Sequence, residues 1–347
     1  MKRAFAEINL AKLADNLRHY RAGLRPAVSV MGIVKADAYG HGAVPVARRL
    51  LREGVNYFGV AWLSEAAELR QNGIAASVLV LSQPDPRYIA EIIGLKVVQA
   101  VYDYDFAARL SQAAEQKVRV HIKIDTGMNR IGVKPDGLAD LLKKIKDLKN
   151  IKAEGLFTHL ACLDDSGRRQ LKLFAECAAL ARDILPEIKC IHALNSGGTL
   201  AFPEAEHDIV RLGIGLYRGV LTLKSRVMTV KTIRAGEAVS YGAAFVADRP
   251  TRLATISIGY ADGLSRLLSN KGRVLIRGGR YALCGNICMD MCMAIVDEQV
   301  EAGDEVVIIG RQGAEEITAQ ELADLTGTID YEIMCGIGKR VPREFKE

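Results

Sequence analysis

The sequence predicts an α/β protein in two domains: an N-terminal (β/α)8 TIM-type barrel followed by a C-terminal mostly-β domain. Three observations predict it. Short β-branched apolar runs alternate with amphipathic segments about eight times up to roughly residue 220. Beyond that point strands come in quick succession, separated by Gly-rich turns such as Arg277-Gly-Gly-Arg280. Chemically expressive residues collect directly after the apolar runs, where barrel enzymes keep their chemistry.

The apolar runs are Val28–Val34, Tyr57–Ala61, Val78–Leu81, Val97–Val101, Val118–Ile124, Ile151–Thr158, Cys190–Leu194 and Ile209–Ile214. Most read as buried on both faces, as in a parallel sheet. Between them lie helix-like stretches such as Val44–Arg52, Ser64–Gln71, Asp105–Gln116, Gly137–Lys149 and Arg168–Ile184. An open doubly wound sheet is the alternative architecture. No Gly-x-Gly-x-x-Gly follows the first strand, so a dinucleotide fold gets no support. The later strands are Val227–Ile233, Arg252–Ile258, Val274–Ile276, Met291–Val296 and Glu305–Ile309. Only Thr318–Leu325 reads as helical there, with Thr318 and Glu321 as a capping box. The boundaries expected are 10–222 for the barrel and 223–347 for the β domain, the latter joined by an N-terminal strand over 2–9.

The net charge of the 347 residues is +6, with acids and bases interspersed. The densest basic run, Lys143 to Lys149, reads as the solvated face of a helix without the interleaved aromatics that base stacking needs. Nucleic acid is therefore not expected. Met1–Leu10 lacks a signal-peptide core, and no apolar run approaches the roughly 20 residues that span a bilayer. Seven cysteines, an odd number, fit a reducing compartment, so a cytoplasmic protein away from membranes is expected. Cys284, Cys288 and Cys292 are evenly spaced, but no histidine lies nearby and Tyr281–Val296 reads as strand. No metal is expected there.

Lys35 follows the first strand, in Val34-Lys-Ala-Asp-Ala-Tyr-Gly-His-Gly42. A lysine desolvated at a strand end can lose its proton and condense with a carbonyl or with pyridoxal phosphate. Tyr39 offers a hydroxyl to phosphate, and the neighbouring glycines let the backbone approach a ligand. The fifth run leads into Lys123-Ile-Asp-Thr-Gly-Met-Asn-Arg130 and the sixth into Thr158-His159. The seventh carries His192-Ala-Leu-Asn-Ser-Gly-Gly198 and the eighth Arg211-Leu-Gly-Ile-Gly-Leu-Tyr217. Asn195-Ser196 and the glycines after it read as a phosphate cradle, and barrels often bind phosphate after strands seven and eight. Each fragment alone is an ordinary strand-to-helix turn. A lysine at the first strand with a cradle at the seventh and eighth points to pyridoxal phosphate.

With these motifs in order, joined by Val239-Ser-Tyr-Gly242, Gly259-Tyr-Ala-Asp-Gly263, Cys288-Met-Asp290 and Asp330-Tyr-Glu332, the chain resembles the alanine racemases over essentially its whole length. The resemblance implies a fold-type III enzyme that interconverts L-alanine and D-alanine with pyridoxal 5'-phosphate by a two-base mechanism. Lys35 would carry the cofactor and serve as base on one face, and Tyr241 would be the opposite base. Arg211 would face the pyridine nitrogen, oriented by His192. Tyr39, Ser196, Gly213, Ile214 and Tyr331 match phosphate ligands, with Asn195 and His159 beside the cofactor. Arg130 matches a residue near the cofactor oxygen and the substrate carboxylate, which the Met289 N–H also meets. Lys123 matches a lysine often carried as a carbamate that holds Arg130. Tyr260, Arg266, Asp290 and Ile329 fall on motifs of the substrate's path. Asn286 stands where many relatives have an arginine in that path, which leaves substrate choice open to serine as the alternative. The site is shared in the family, so a homodimer is expected, serving D-alanine biosynthesis or alanine catabolism. Arg211 and Tyr241 argue against a decarboxylase of the same fold.

Overall fold

A computed structural model of the chain describes residues 3–347. They form two compact units. One comprises Ala14–Ala38 and Ala43–Leu216; the other the described residues up to Leu13, Tyr39–Gly42 and Tyr217–Glu347.

The first unit is a parallel eight-stranded sheet. Its strands are Ser29–Ile33, Tyr57–Val60, Ser77–Val80, Val98–Val101, Val118–Lys123, Ile151–Phe157, Cys190–His192 and Ile209–Leu212. The first strand pairs with both the second and the eighth. A parallel bridge between Asn195 and Arg211 links the seventh connection to the eighth strand. The sheet is thus closed, which excludes the open doubly wound alternative. The helices between strands turn their apolar faces inward: Ala43–Arg52 buries Ala43, Val46, Ala47 and Leu50. Two of the helices, Tyr104–Ala113 and Asp165–Ile184, start on side-chain caps. Asp103 accepts from the Phe106 N–H and Asp164 from the Ser166 N–H.

The second unit is a nine-stranded sheet. Its longest strand, Leu221–Ile233, pairs antiparallel with Ala4–Asn9, Thr251–Ile256 and Glu305–Gln312. Residue 2, the expected start of the N-terminal strand, lies outside the described residues. Three expectations need correction here. Tyr281–Val296 is not continuous strand but two strands, Gly279–Cys284 and Cys292–Ile295, joined by residues 285–291. Gly285 turns the chain out of the first at φ +70°. The capping box is half made: Thr318 accepts from the Glu321 N–H at 3.0 Å, but the Glu321 carboxylate is drawn to Arg280 at 2.7 Å. Thr318–Leu325 is also not the only helix. Asp330–Cys335 is a second, too short for a periodic apolar pattern to announce it.

Candidate active site

Strand pairing runs up to Lys35, since the Val34 N–H bonds the Gly59 carbonyl at 3.0 Å. The chain then makes one left-handed turn, Lys35–Gly40, with φ between 51° and 54° at Ala36, Asp37, Ala38 and Tyr39. Residues with a Cβ resist this conformation by about 1–2 kcal/mol each. Side-chain clamps hold it there. Glu65 accepts from the Ala36 N–H at 2.6 Å with one oxygen, and from the Ala61 and Trp62 N–H groups at 2.7 and 3.0 Å with the other. Asp37 accepts from the Ala43 N–H at 2.7 Å. Lys35 itself is half-buried.

Arg211 is buried on the eighth strand. Its Nη1 donates to His192 Nδ1 at 2.9 Å and to the His192 carbonyl at 3.0 Å. Its Nη2 donates to the Thr158 and Ala193 carbonyls, both at 2.8 Å, and lies 3.3 Å from His159 Nδ1. Both terminal nitrogens are therefore committed, and among the described residues the Nε–H has no acceptor. Burial lowers the guanidinium pKa to about 9, which leaves it charged at neutrality. It also keeps its neighbours neutral. His159 falls to about 3 through burial first, then the charges of Arg211, Arg130, Lys123 and Lys35. His192 is lowered well below its ordinary value by burial and Arg211. Lys123 falls to about 7, driven by burial with Arg211 and Arg130 adding and Asp125 opposing. Its Nζ donates to the Ile124 carbonyl at 3.0 Å.

The cradle is assembled around Ser196. Its Oγ accepts from the Gly213 N–H at 2.9 Å and the Gly215 N–H at 3.2 Å. The hydroxyl hydrogen then remains to be donated, with no acceptor among the described residues. Asn195 caps the following helix through the Gly198 N–H at 2.8 Å, so its side chain is spent on the backbone. Ile214 begins the short helix after Gly213 and is buried.

In the second unit Tyr39 and Tyr331 lie edge to face, with centroids 6.0 Å apart. Tyr241 is 74% exposed, on a turn entered through Ser240 at φ +67°. That turn is tied to the 285–291 loop: Ser240 Oγ donates to the Asn286 carbonyl, and Asn286 Nδ2 donates to the Tyr241 carbonyl at 2.7 Å. Met289 is exposed, and its N–H makes no hydrogen bond among the described residues. The structure thus gathers Lys35, Lys123, Arg130, His159, Asn195, Ser196, Arg211, Gly213 and Ile214 in one unit. Tyr39, Tyr241, Met289 and Tyr331 belong to the other.

Sequence reasoning missed Glu65, Tyr57 and His121. His121 carried a usable signal, since it shares a strand face with Lys123 two residues on. Tyr57 carried none, and neither did the bond of Glu65 to Ala36, because those partners are distant in the chain. No group of three or more His, Cys, Asp or Glu that could hold a metal occurs among the described residues, and no helix is long and apolar enough to cross a membrane.

Residues 8–220 match the family described as alanine racemase, N-terminal domain, and residues 220–345 its C-terminal domain. The chain belongs to the alanine racemase family. An alanine racemase of Carboxydothermus hydrogenoformans is 40% identical, over 99% of each chain. The alanine racemase structure of Clostridium difficile 630 superposes with a TM-score of 0.95 at 34% identity, covering 100% of this chain and 96% of that one. That of Bartonella henselae, which carries covalently bound pyridoxal phosphate, gives 0.90 at 29% identity, covering 100% of both. Membership of the alanine racemase family makes the chain an amino-acid isomerase. These relatives are named for alanine, so the serine alternative gains nothing from them.

Proposed function

We propose that this protein interconverts L-alanine and D-alanine with pyridoxal phosphate, as a cytoplasmic homodimer whose sites are shared between subunits. The observation that carries the reading is a pair of unspent donors on buried residues, the Arg211 Nε–H and the Ser196 hydroxyl. Both ask for an acceptor. An unprotonated pyridine nitrogen suits the first and a phosphate oxygen the second, so the residues fit the cofactor. Lys35 would hold it covalently, and Gly213, Ile214, Tyr39 and Tyr331 would complete the phosphate site.

When bound, pyridoxal phosphate delocalises the electron pair left as the substrate loses its α-proton. The chain's residues do the rest. The Lys35 amine takes or returns the proton on one face, and the Tyr241 phenol on the other. Arg211 remains charged, so it would donate a hydrogen bond to the pyridine nitrogen without surrendering a proton. Arg130 and the Met289 N–H bind the substrate carboxylate. Lys123, with its pKa lowered to about 7, is partly neutral, and its amine can add carbon dioxide, the N–C bond forming as a C=O π bond opens and an N–H proton passes to solvent. The resulting carbamate turns a cation beside Arg130 into an anion that holds it. Asn195 and His159 orient the cradle and Arg211.

The test is to incubate the protein with L-alanine and pyridoxal phosphate in deuterated water. Deuterated D-alanine is expected, and Lys35→Ala abolishes it. Cofactor binding without any α-proton exchange on alanine overturns the reading. Tyr241→Phe should slow exchange from L-alanine far more than from D-alanine; equal loss from both isomers removes the two-base assignment.

A further inference from the structure

Barrel interiors are filled mostly by branched apolar side chains. This one instead holds two histidines with no exposed surface, His121 and His192. They are linked. Tyr57 Oη lies 2.9 Å from His121 Nε2, His121 Nδ1 lies 2.9 Å from His192 Nε2, and His192 Nδ1 lies 2.9 Å from Arg211 Nη1. We propose that Tyr57 and His121 are positioning residues: they close a buried hydrogen-bonded chain, Tyr57–His121–His192–Arg211, that sets the tautomer of both imidazoles and thereby the pose of the guanidinium.

The polarity follows from donor counting. A guanidinium has no acceptor, so His192 Nδ1 must accept from Arg211 and carry no hydrogen. A neutral His192 then bears its hydrogen on Nε2 and donates it to His121 Nδ1. His121 in turn bears its hydrogen on Nε2 and donates it to the Tyr57 oxygen. Every link has one permitted direction, read outward from Arg211. Both imidazoles are kept neutral by burial and by Arg211, as the chain requires. Tyr57 supplies the terminal acceptor, without which the His121 Nε2–H is a buried donor with nothing to bond.

The surrounding strands are shaped for the chain. A Cβ on Gly155 would stand 2.5 Å from the His121 ring, so only glycine leaves the imidazole its place. Phe157 stacks on His192 at 4.9 Å with planes 10° apart, which fixes the ring's rotation. Tyr57 opens the second strand, away from the loops that follow the strand ends, so its part is played entirely through the histidines.

The role of Arg211 toward the cofactor rests on the function proposed above; the chain's polarity does not. Solution NMR of the purified protein with 15N-labelled histidine reads the polarity directly. His121 and His192 should both show a protonated Nε2 and a bare Nδ1. A protonated Nδ1 on His192, or mixed tautomers in the wild-type protein, overturns the proposal even if no variant folds. In Tyr57→Phe, the His121 tautomer should become mixed. α-Proton exchange on alanine should fall about tenfold in kcat, the worth of one lost buried hydrogen bond. KM should change less than twofold. Unchanged tautomers and kcat in Tyr57→Phe likewise overturn it. If the wild-type protein shows these tautomers but exchanges no α-proton, the proposed function falls and the chain stands.

Discussion

Arg211 is the residue on which burial, charge and chemistry converge. Its terminal nitrogens serve acceptors at two strand ends, a task that needs a planar fork. Arg211→Lys offers three donors on a flexible stem and leaves carbonyls of Thr158, His192 or Ala193 unpaired. We expect it to destabilise the protein by about 2–4 kcal/mol in urea unfolding and to cut alanine racemisation by about a hundredfold or more. A stable, fully active Arg211→Lys protein contradicts this. The histidines around it set the acid limit. His121 and His159 have pKa values near 3 when folded, against an ordinary 6.5 when unfolded. Between those values the unfolded chain binds more protons, so stability is full above about pH 6.5 and falls as pH drops toward 3. Each such histidine contributes a slope of about 1.4 kcal/mol per pH unit in that window. Unfolding free energies measured from pH 7 to pH 5 check it, and a flat profile defeats it.

At the scale of an element, the turn Lys35–Gly40 is the one that local preference would not choose. Four residues with Cβ atoms sit at positive φ, and Glu65 and Asp37 supply the hydrogen bonds that hold them there. Removing the Ala36 side chain relieves strain at one position. Ala36→Gly should therefore stabilise by about 0.5–1 kcal/mol, less than the strain because glycine gives up more backbone freedom. Ala36→Val, branched at Cβ, should destabilise by about 2 kcal/mol or more. Thermal melts rank the three proteins, and the opposite order refutes the account. Gly40 closes the turn at φ +81°, and a Cβ there would meet the Met334 carbonyl at 2.5 Å. Neither the left-handed turn nor its clamp was legible in Lys35-Ala-Asp-Ala-Tyr39, because the side chain that enforces it comes from the next strand-to-helix connection. The eight barrel strands were legible to within a residue or two, because a parallel strand buried on both faces announces itself by composition alone, whereas the expected Val227–Ile233 of the β domain is in fact Leu221–Ile233.

At the scale of the whole molecule, the prediction concerns two chains rather than one. If each site takes Lys35 from one subunit and Tyr241 from its partner, Lys35→Ala and Tyr241→Phe proteins are each inactive yet complement one another. Unfolded together and refolded as an equal mixture, half of the dimers pair the two variants, and each of those regains one complete site. Activity should return to about a quarter of the wild-type value. No recovery, in a mixture shown by mass spectrometry to contain the mixed dimer, rules out sharing of the site. The exposed phenol of Tyr241, 74% accessible in the single chain, is what motivates the experiment.

The sequence by itself determined the barrel, the β domain and the residues of the proposed pyridoxal phosphate site. Apolar periodicity and strand-end chemistry are local properties, written in consecutive residues such as Val34-Lys35 and Asn195-Ser196. Only the tertiary structure decided how those residues are held. It placed Glu65 on the turn of Lys35, spent both terminal nitrogens of Arg211 and left its Nε–H, and threaded Tyr57 and His121 to His192. The distant pairings among these join residues 18 to 71 apart in the chain. Hydrogen-bond partners are chosen by distance and direction in space, and no pattern along one strand records what faces it across the barrel.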